Sequence, residues 1–245
     1  MSSAVPGWYG KLPTLGDFAS RRLDPAWIAA WDAWLAEGLG TLRADDDAWL
    51  DGYLASPAWR FVVMPGALPG DAGAFACAGV LMASVDRVGR YFPLTLMAPL
   101  DALPRSTAKL EALLGWLARL EDIAVDAMQD DWSIDRLERE LATCTCPIES
   151  DGETQPDDAM QRPLTVETLV RDVPADAAAL AQRFADAAFV HARAAWAGAS
   201  FWLAANEQPP RMMITQGLPM RREFAALFGS APGATSSSDA STNNP

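Results

Sequence analysis

The chain has 245 residues, 50% hydrophobic and 21% charged. A fold of that size removes roughly 70% of the unfolded surface from water, so a core can form without disulfide or metal staples, and a largely disordered chain is excluded. Nineteen basic against thirty-two acidic residues leave a formal net charge of -13, which argues against a surface built for nucleic acid or for anionic lipid. In chain order, the first thirteen residues lack a basic leader followed by an apolar run, so no secretory signal is expected. Asp24 followed by Pro25 is an N-cap with proline at the first helical position, and Trp27, Trp31, Trp34, Leu35, Gly38 and Leu42 recur at helical spacing behind it. That period predicts a helix with a buried aromatic stripe, and it places three of the ten tryptophans.

Residues 58–64, 76–83 and 91–98 are short apolar runs with little alternation, the pattern of strands covered on both faces. The longest apolar stretch, 74–85, is about half the length a membrane helix requires. Ser106 can cap a helix whose face is Leu110, Leu113, Leu114, Leu117 and Leu120, and Ile134, Leu137 and Leu141 mark another. Residues 144–162 combine proline, glycine and acids without apolar period and read as a surface loop, where a sub-boundary could fall. An Ala-rich helix from Pro174 to about Trp196, strands at 200–204 and 211–215 and a helix over 219–228 follow. Residues 229–245, small and polar, read as a disordered tail. Helices before, between and after doubly covered strands predict an α/β fold in a single domain over 1–228. The charge is uneven: residues 1–100 hold 7 basic and 10 acidic groups, whereas 121–158 hold 2 and 13.

Catalytic equipment is scarce. The single histidine, His191, lies in the Ala-rich segment and reads as an ordinary helix residue, which argues against a histidine-based triad. Cys144 and Cys146 lack a second Cys or His pair, so a tetrahedral zinc site misses half its ligands, and three cysteines suit reduced thiols rather than a disulfide framework. Gly7-Trp-Tyr-Gly-Lys11 has two residues, not four, between its glycines, and Leu12 stands where a phosphate loop needs Ser or Thr. No enzyme activity, cofactor or metal is expected.

Two polar segments stand out. Ser84-Val-Asp86-Arg87-Val-Gly89-Arg90 joins two apolar runs. Asp86 can pair with either arginine; a corner salt-bridged between Asp86 and Arg87, with Gly89 at positive φ, is one reading. An anion pocket or partner contact built on the arginines is the other, since guanidinium groups recognise carboxylate and phosphate bidentately. In Lys11-Leu-Pro-Thr-Leu-Gly16-Asp17-Phe18, Pro13 and Gly16 make a turn, and Asp17 is expected to cap a following helix.

Four motifs in order, 7–18 (GWYGKLPTLGDF), 21–35 (with RRL and WDAWL), 56–61 (SPAWRF) and 79–94 (GVLMASVDRVGRYFPL), resemble the TagF/ImpM family of type VI secretion-associated proteins, with a weaker echo at Ser200-Phe-Trp202 and Gly217-Leu-Pro219. The resemblance implies a three-layer α-β-α sandwich with a mixed central sheet. It implies a cytoplasmic accessory protein, a post-translational repressor that binds the forkhead-associated-domain scaffold promoting assembly, and not an enzyme. The motif face of Lys11, Asp17, Ser84, Asp86, Arg87 and Arg90 is then the expected partner contact. The alternatives are an anion- or nucleotide-binding protein or enzyme using Asp86, Arg87 and Arg90, and a structural subunit of the secretion machine.

Overall fold

A computed structural model describes residues 5–104, 106–148 and 195–228. The Ala-rich segment with His191, most of the expected loop at 149–162, and the tail lie outside the described residues.

Seven strands form one sheet in the order β2-β1-β5-β4-β3-β6-β7: β1 (Gly7–Gly10), β2 (Ala19–Arg21), β3 (Trp59–Val63), β4 (Cys77–Met82), β5 (Leu94–Pro99), β6 (Ala199–Ala204) and β7 (Arg211–Gln216). Each neighbouring pair is antiparallel, so the expectation of a mixed sheet is corrected. The reason is physical. β4 and β5 are unalternating apolar runs because both faces are covered, and double coverage, usual for parallel strands, does not require them.

Helix α1 (Pro25–Asp45) begins as its sequence dictates, with the Asp24 carboxylate accepting from the backbone N–H of Ala26 at 2.7 Å. Its stripe of Trp27, Trp31, Trp34 and Leu35 packs on Phe61 and Trp202 of the sheet, with helix α2 (Trp49–Leu54) and the final helix, α5 (Arg222–Phe228), completing this face. Trp27 and Trp31 stack at 4.8 Å between ring centroids, and Trp31 meets Trp34 at 4.7 Å and Phe61 at 5.1 Å. Such pairs contribute about 0.5–1.5 kcal/mol each beyond their burial. Gly38 sits directly against the Phe224 ring, and a Cβ there would overlap it, which is why the stripe contains a glycine.

The opposite face carries α3 (Thr107–Gln129), capped by Ser106, and α4 (Ile134–Thr143), capped by Ser133. Leu113, Trp116, Leu117 and Leu120 of α3 cover Ala78, Val80, Leu94 and Leu96. Of the surface loop expected over 144–162, residues 144–148 are described, and Cys144, Cys146 and Ile148 are buried in this second core, with the Trp116 indole donating to the Cys144 carbonyl at 2.9 Å. Three small apolar side chains in alternation outweigh the turn residues around them.

Eight of the ten tryptophans are buried, Trp49 is half-buried and Trp196 is 39% exposed. Two of them fasten the end of the described chain to its beginning. Trp34 donates to the carbonyl of Pro219 at 2.7 Å and Trp59 to that of Leu227 at 2.9 Å.

Candidate functional site

The connection from β4 to β5 is built around one carboxylate. Oδ1 of Asp86 accepts from the backbone N–H groups of Val88 at 3.0 Å and Arg90 at 2.9 Å, closing the turn on itself. Gly89 N–H donates to the Asp86 carbonyl at 3.0 Å and takes φ 81, the left-handed backbone that glycine adopts without cost. Oδ2 of Asp86 accepts from Lys11 Nζ at 2.9 Å and Arg90 Nε at 2.7 Å. Burial of Asp86 by itself would raise its pKa. The bonds from the Arg90 backbone, Lys11, the Arg90 guanidinium and Val88 outweigh it and hold the carboxyl well below the usual carboxylate range.

The corner is therefore locked as one of the sequence readings has it, with a different partner. Asp86 pairs with Arg90 and Lys11, not with Arg87, whose backbone N–H is held by the Leu15 carbonyl at 2.9 Å while its side chain is exposed. Asp86 can bind its own i+4 neighbour only because the turn folds Arg90 back, and Lys11 enters from the loop just after β1 at a separation no local pattern reveals.

Lys11 is buried, as are Ser84 and Asp86. Ser84 Oγ donates to the Lys11 carbonyl at 2.6 Å, and the Ser84 backbone exchanges two bonds of 2.9 Å with the Tyr53 hydroxyl from α2. Burial pushes the Tyr53 hydroxyl pKa up, so it stays a neutral donor and acceptor at any ordinary pH. Lys11 Nζ also lies 4.8 Å from the centroid of the Phe18 ring.

The second polar segment docks on this corner. The Arg90 guanidinium donates to the Gly16 carbonyl and stands 4.0 Å from the Asp17 carboxylate, while Thr14 donates to the Trp132 carbonyl at 2.8 Å. Asp17 caps no helix. It precedes β2, its Oδ1 accepts from the Phe18 N–H at 2.9 Å, and the helix starts at Asp24. A turn of Pro and Gly before an acid is compatible with either element, and pairing of 19–21 with β1 decides for the strand.

The six expected residues thus divide into two groups. Lys11, Ser84 and Asp86 are inside and fix the backbone; Asp17, Arg87 and Arg90 reach the surface. The structure adds two side chains that sequence reasoning missed, Phe18 at 44% exposure and Val88 at 63%. Phe18 rests edge-on against Phe92 at 4.8 Å and stacks over Tyr9 at 6.0 Å, so its outer face is presented by a rigid aromatic floor. Apolar residues flanking charged motif positions are the available signal for them. Among the described residues, no group of three or more His, Cys, Asp or Glu side chains could hold a metal ion, and no helix is long and apolar enough to cross a membrane. Clefts of about 500 Å³ lie between α1 and α5, lined by Thr41, Asp45, Arg221, Arg222 and Phe224 rather than by the corner residues.

An antiparallel sheet with helices against both faces, carrying a polar corner stitched to its first loop, defines an α/β framework for the described residues. Residues 7–144 match the family model for the TagF N-terminal domain, type VI secretion system-associated, and the chain belongs to that family. It is also similar to the protein in the crystal structure of PA0076 from Pseudomonas aeruginosa PAO1, with 32% identity and a TM-score of 0.66 over 91% of this chain and 94% of that one. No curated protein matches it.

Proposed function

We propose that this chain is a cytoplasmic, non-enzymatic repressor of type VI secretion that acts after translation by binding the forkhead-associated-domain scaffold on which assembly depends. Family membership supplies the secretion context. The observation that carries the binding mode is the corner itself: a buried ion pair, Lys11–Asp86, whose carboxylate fixes the turn that exposes Arg87 and Val88, while Lys11 also lies against the ring of the exposed Phe18. An exposed arginine and exposed apolar side chains on a pre-organised backbone are the composition of an interface anchor. Asp86 and Arg90 already satisfy each other, which favours a contact surface over an anion- or nucleotide-binding pocket made of the same residues.

In this reading Arg87, Val88 and Phe18 touch the partner, and Lys11, Ser84, Asp86 and Arg90 hold them in place. The test is capture of the purified scaffold by wild type, Arg87→Ala, Val88→Asp and Lys109→Ala, each checked for folding by circular dichroism. Arg87→Ala and Val88→Asp are expected to weaken capture at least about tenfold, a loss of about 1.4 kcal/mol or more, and Lys109→Ala on α3 to leave it unchanged. Undiminished capture by both folded corner variants overturns the proposed face, and failure of the wild type to bind overturns the function.

A further inference from the structure

Among the described residues, the seven-stranded sheet ends in two edges of opposite character. β2 is three residues long, the Arg21 guanidinium occupies the carbonyl of Ser20 at 2.8 Å, and Arg22 follows in a left-handed conformation at φ 58. Short length, charge and a sharp turn are the usual means by which a sheet edge is closed to further pairing. β7 has none of them in its centre. All six of its residues pair with β6 in unbroken register, and Met212-Met213-Ile214 carries no charge and no proline.

Met212 is 71% exposed and Ile214 52%. Opposite them on β6 stand Leu203 and Phe201, both half-buried, and Trp196 packs edge-on against Phe201 at 5.1 Å. The sheet therefore finishes, among the described residues, in an apolar strip beside an unpaired run of backbone N–H and C=O groups. Exposed, regular and hydrophobic edges of this kind are templates for another strand.

We infer that β7 pairs with β7 of a second copy, joining two seven-stranded sheets into one across a two-fold axis. The register is self-complementary. A two-fold perpendicular to the sheet keeps each face on its own side, so with Met213 on the axis Met212 of one copy lies opposite Ile214 of the other, twice, and Arg211 lies opposite Thr215. Cross-strand apolar pairs form and no like charges meet. A two-fold edge contact is closed, and because β2 is blocked the sheet cannot grow further, so the product is a dimer and not a filament. A single strand edge buries less than the roughly 800 Å² per partner of a standard interface, which places the contact among weak, concentration-dependent associations. With a formal charge of -13 on each copy, added salt strengthens the association by screening their repulsion.

The experiment is sedimentation equilibrium of the full chain from about 1 to 500 µM at two salt concentrations. It compares wild type, the double variant Met212→Lys/Ile214→Lys and a control with the same added charge, Leu54→Lys/Leu114→Lys, at exposed leucines on α2 and α3. Wild type and control are expected to dimerise together, and the β7 variant to do so at least tenfold more weakly with its melting temperature kept. A wild type that is monomeric throughout overturns the inference, as does a β7 variant that dimerises like the control. A monomer that melts many degrees lower once the lysines are introduced overturns it too, because it would assign the strip to another part of this chain.

Discussion

Replacing Trp59 by phenylalanine keeps an aromatic ring in place and removes a single donor. The indole is 2% exposed and its N–H is the partner of the Leu227 carbonyl in the last turn of α5. Leaving that carbonyl buried and unpaired costs about 1–3 kcal/mol, and the smaller ring adds roughly 1 kcal/mol for the space it fails to fill. The sum, about 2–4 kcal/mol, is a large share of the 5–15 kcal/mol that typically separates folded from unfolded chains. For a domain above 150 residues it corresponds to a fall in Tm of roughly 5–15 °C. The assay is thermal unfolding followed by far-UV circular dichroism, which does not depend on the tryptophan removed. Trp49→Phe is the control: Trp49 is half-buried and stacks under Arg43, whose guanidinium carbon lies 4.6 Å from its ring centroid, an interaction phenylalanine retains in part. A Trp59→Phe variant whose Tm falls no further than the control's would refute the idea that this bond ties α5 to the sheet.

Acid should act through the corner. The folded pKa of Asp86 is depressed below its unfolded value of about 3.9, so its stabilising effect is complete above that value and fades as pH falls toward the folded pKa. Asp86→Asn is therefore expected to lower Tm at pH 7 and to flatten its decline below about pH 4; an unchanged slope between pH 4 and pH 2.5 refutes this. The thiols should be inert in the native state. Burial pushes Cys77 up to about 12 and raises Cys144 and Cys146 as well, so thiolate is scarce at pH 8 as well as inaccessible. Alkylation at pH 8 should leave all three unmodified until denaturant is added, and mass spectrometry showing rapid native labelling counts against the buried placement.

What is legible in the sequence is what neighbours decide. Asp24-Pro25 and the tryptophan period define α1, the cap at Ser106 with its leucine row defines α3, and Ile134, Leu137 and Leu141 mark α4, because each signal is complete within one or two turns. β1 and β2 escape notice since four and three residues carry no period, and they become strands through pairing with β5 and with each other. Strand direction is equally hidden: an unalternating apolar run reports that both faces are covered and says nothing of its neighbour's polarity. At the candidate site the turn is readable through Asp86 and Gly89. Its buried partner Lys11 and the Tyr53 hydroxyl are not, because they are brought there by sheet order and by α2 packing.

The stretch that defines the family, 7–144, stops short of β6. In space, β6 is the neighbour of β3, and Pro219, just ahead of α5, and Leu227 within it supply the acceptors for two indoles of the matched part. Severing the chain at residue 144 would turn β3, an interior strand, into a raw edge with Phe61 and Val63 bared where Trp202 and α5 now lie. The segment by which relatives are recognised and the segment that can stand by itself are consequently different things. A fragment cut at the motif boundary is expected to aggregate where a chain carried through Phe228 does not.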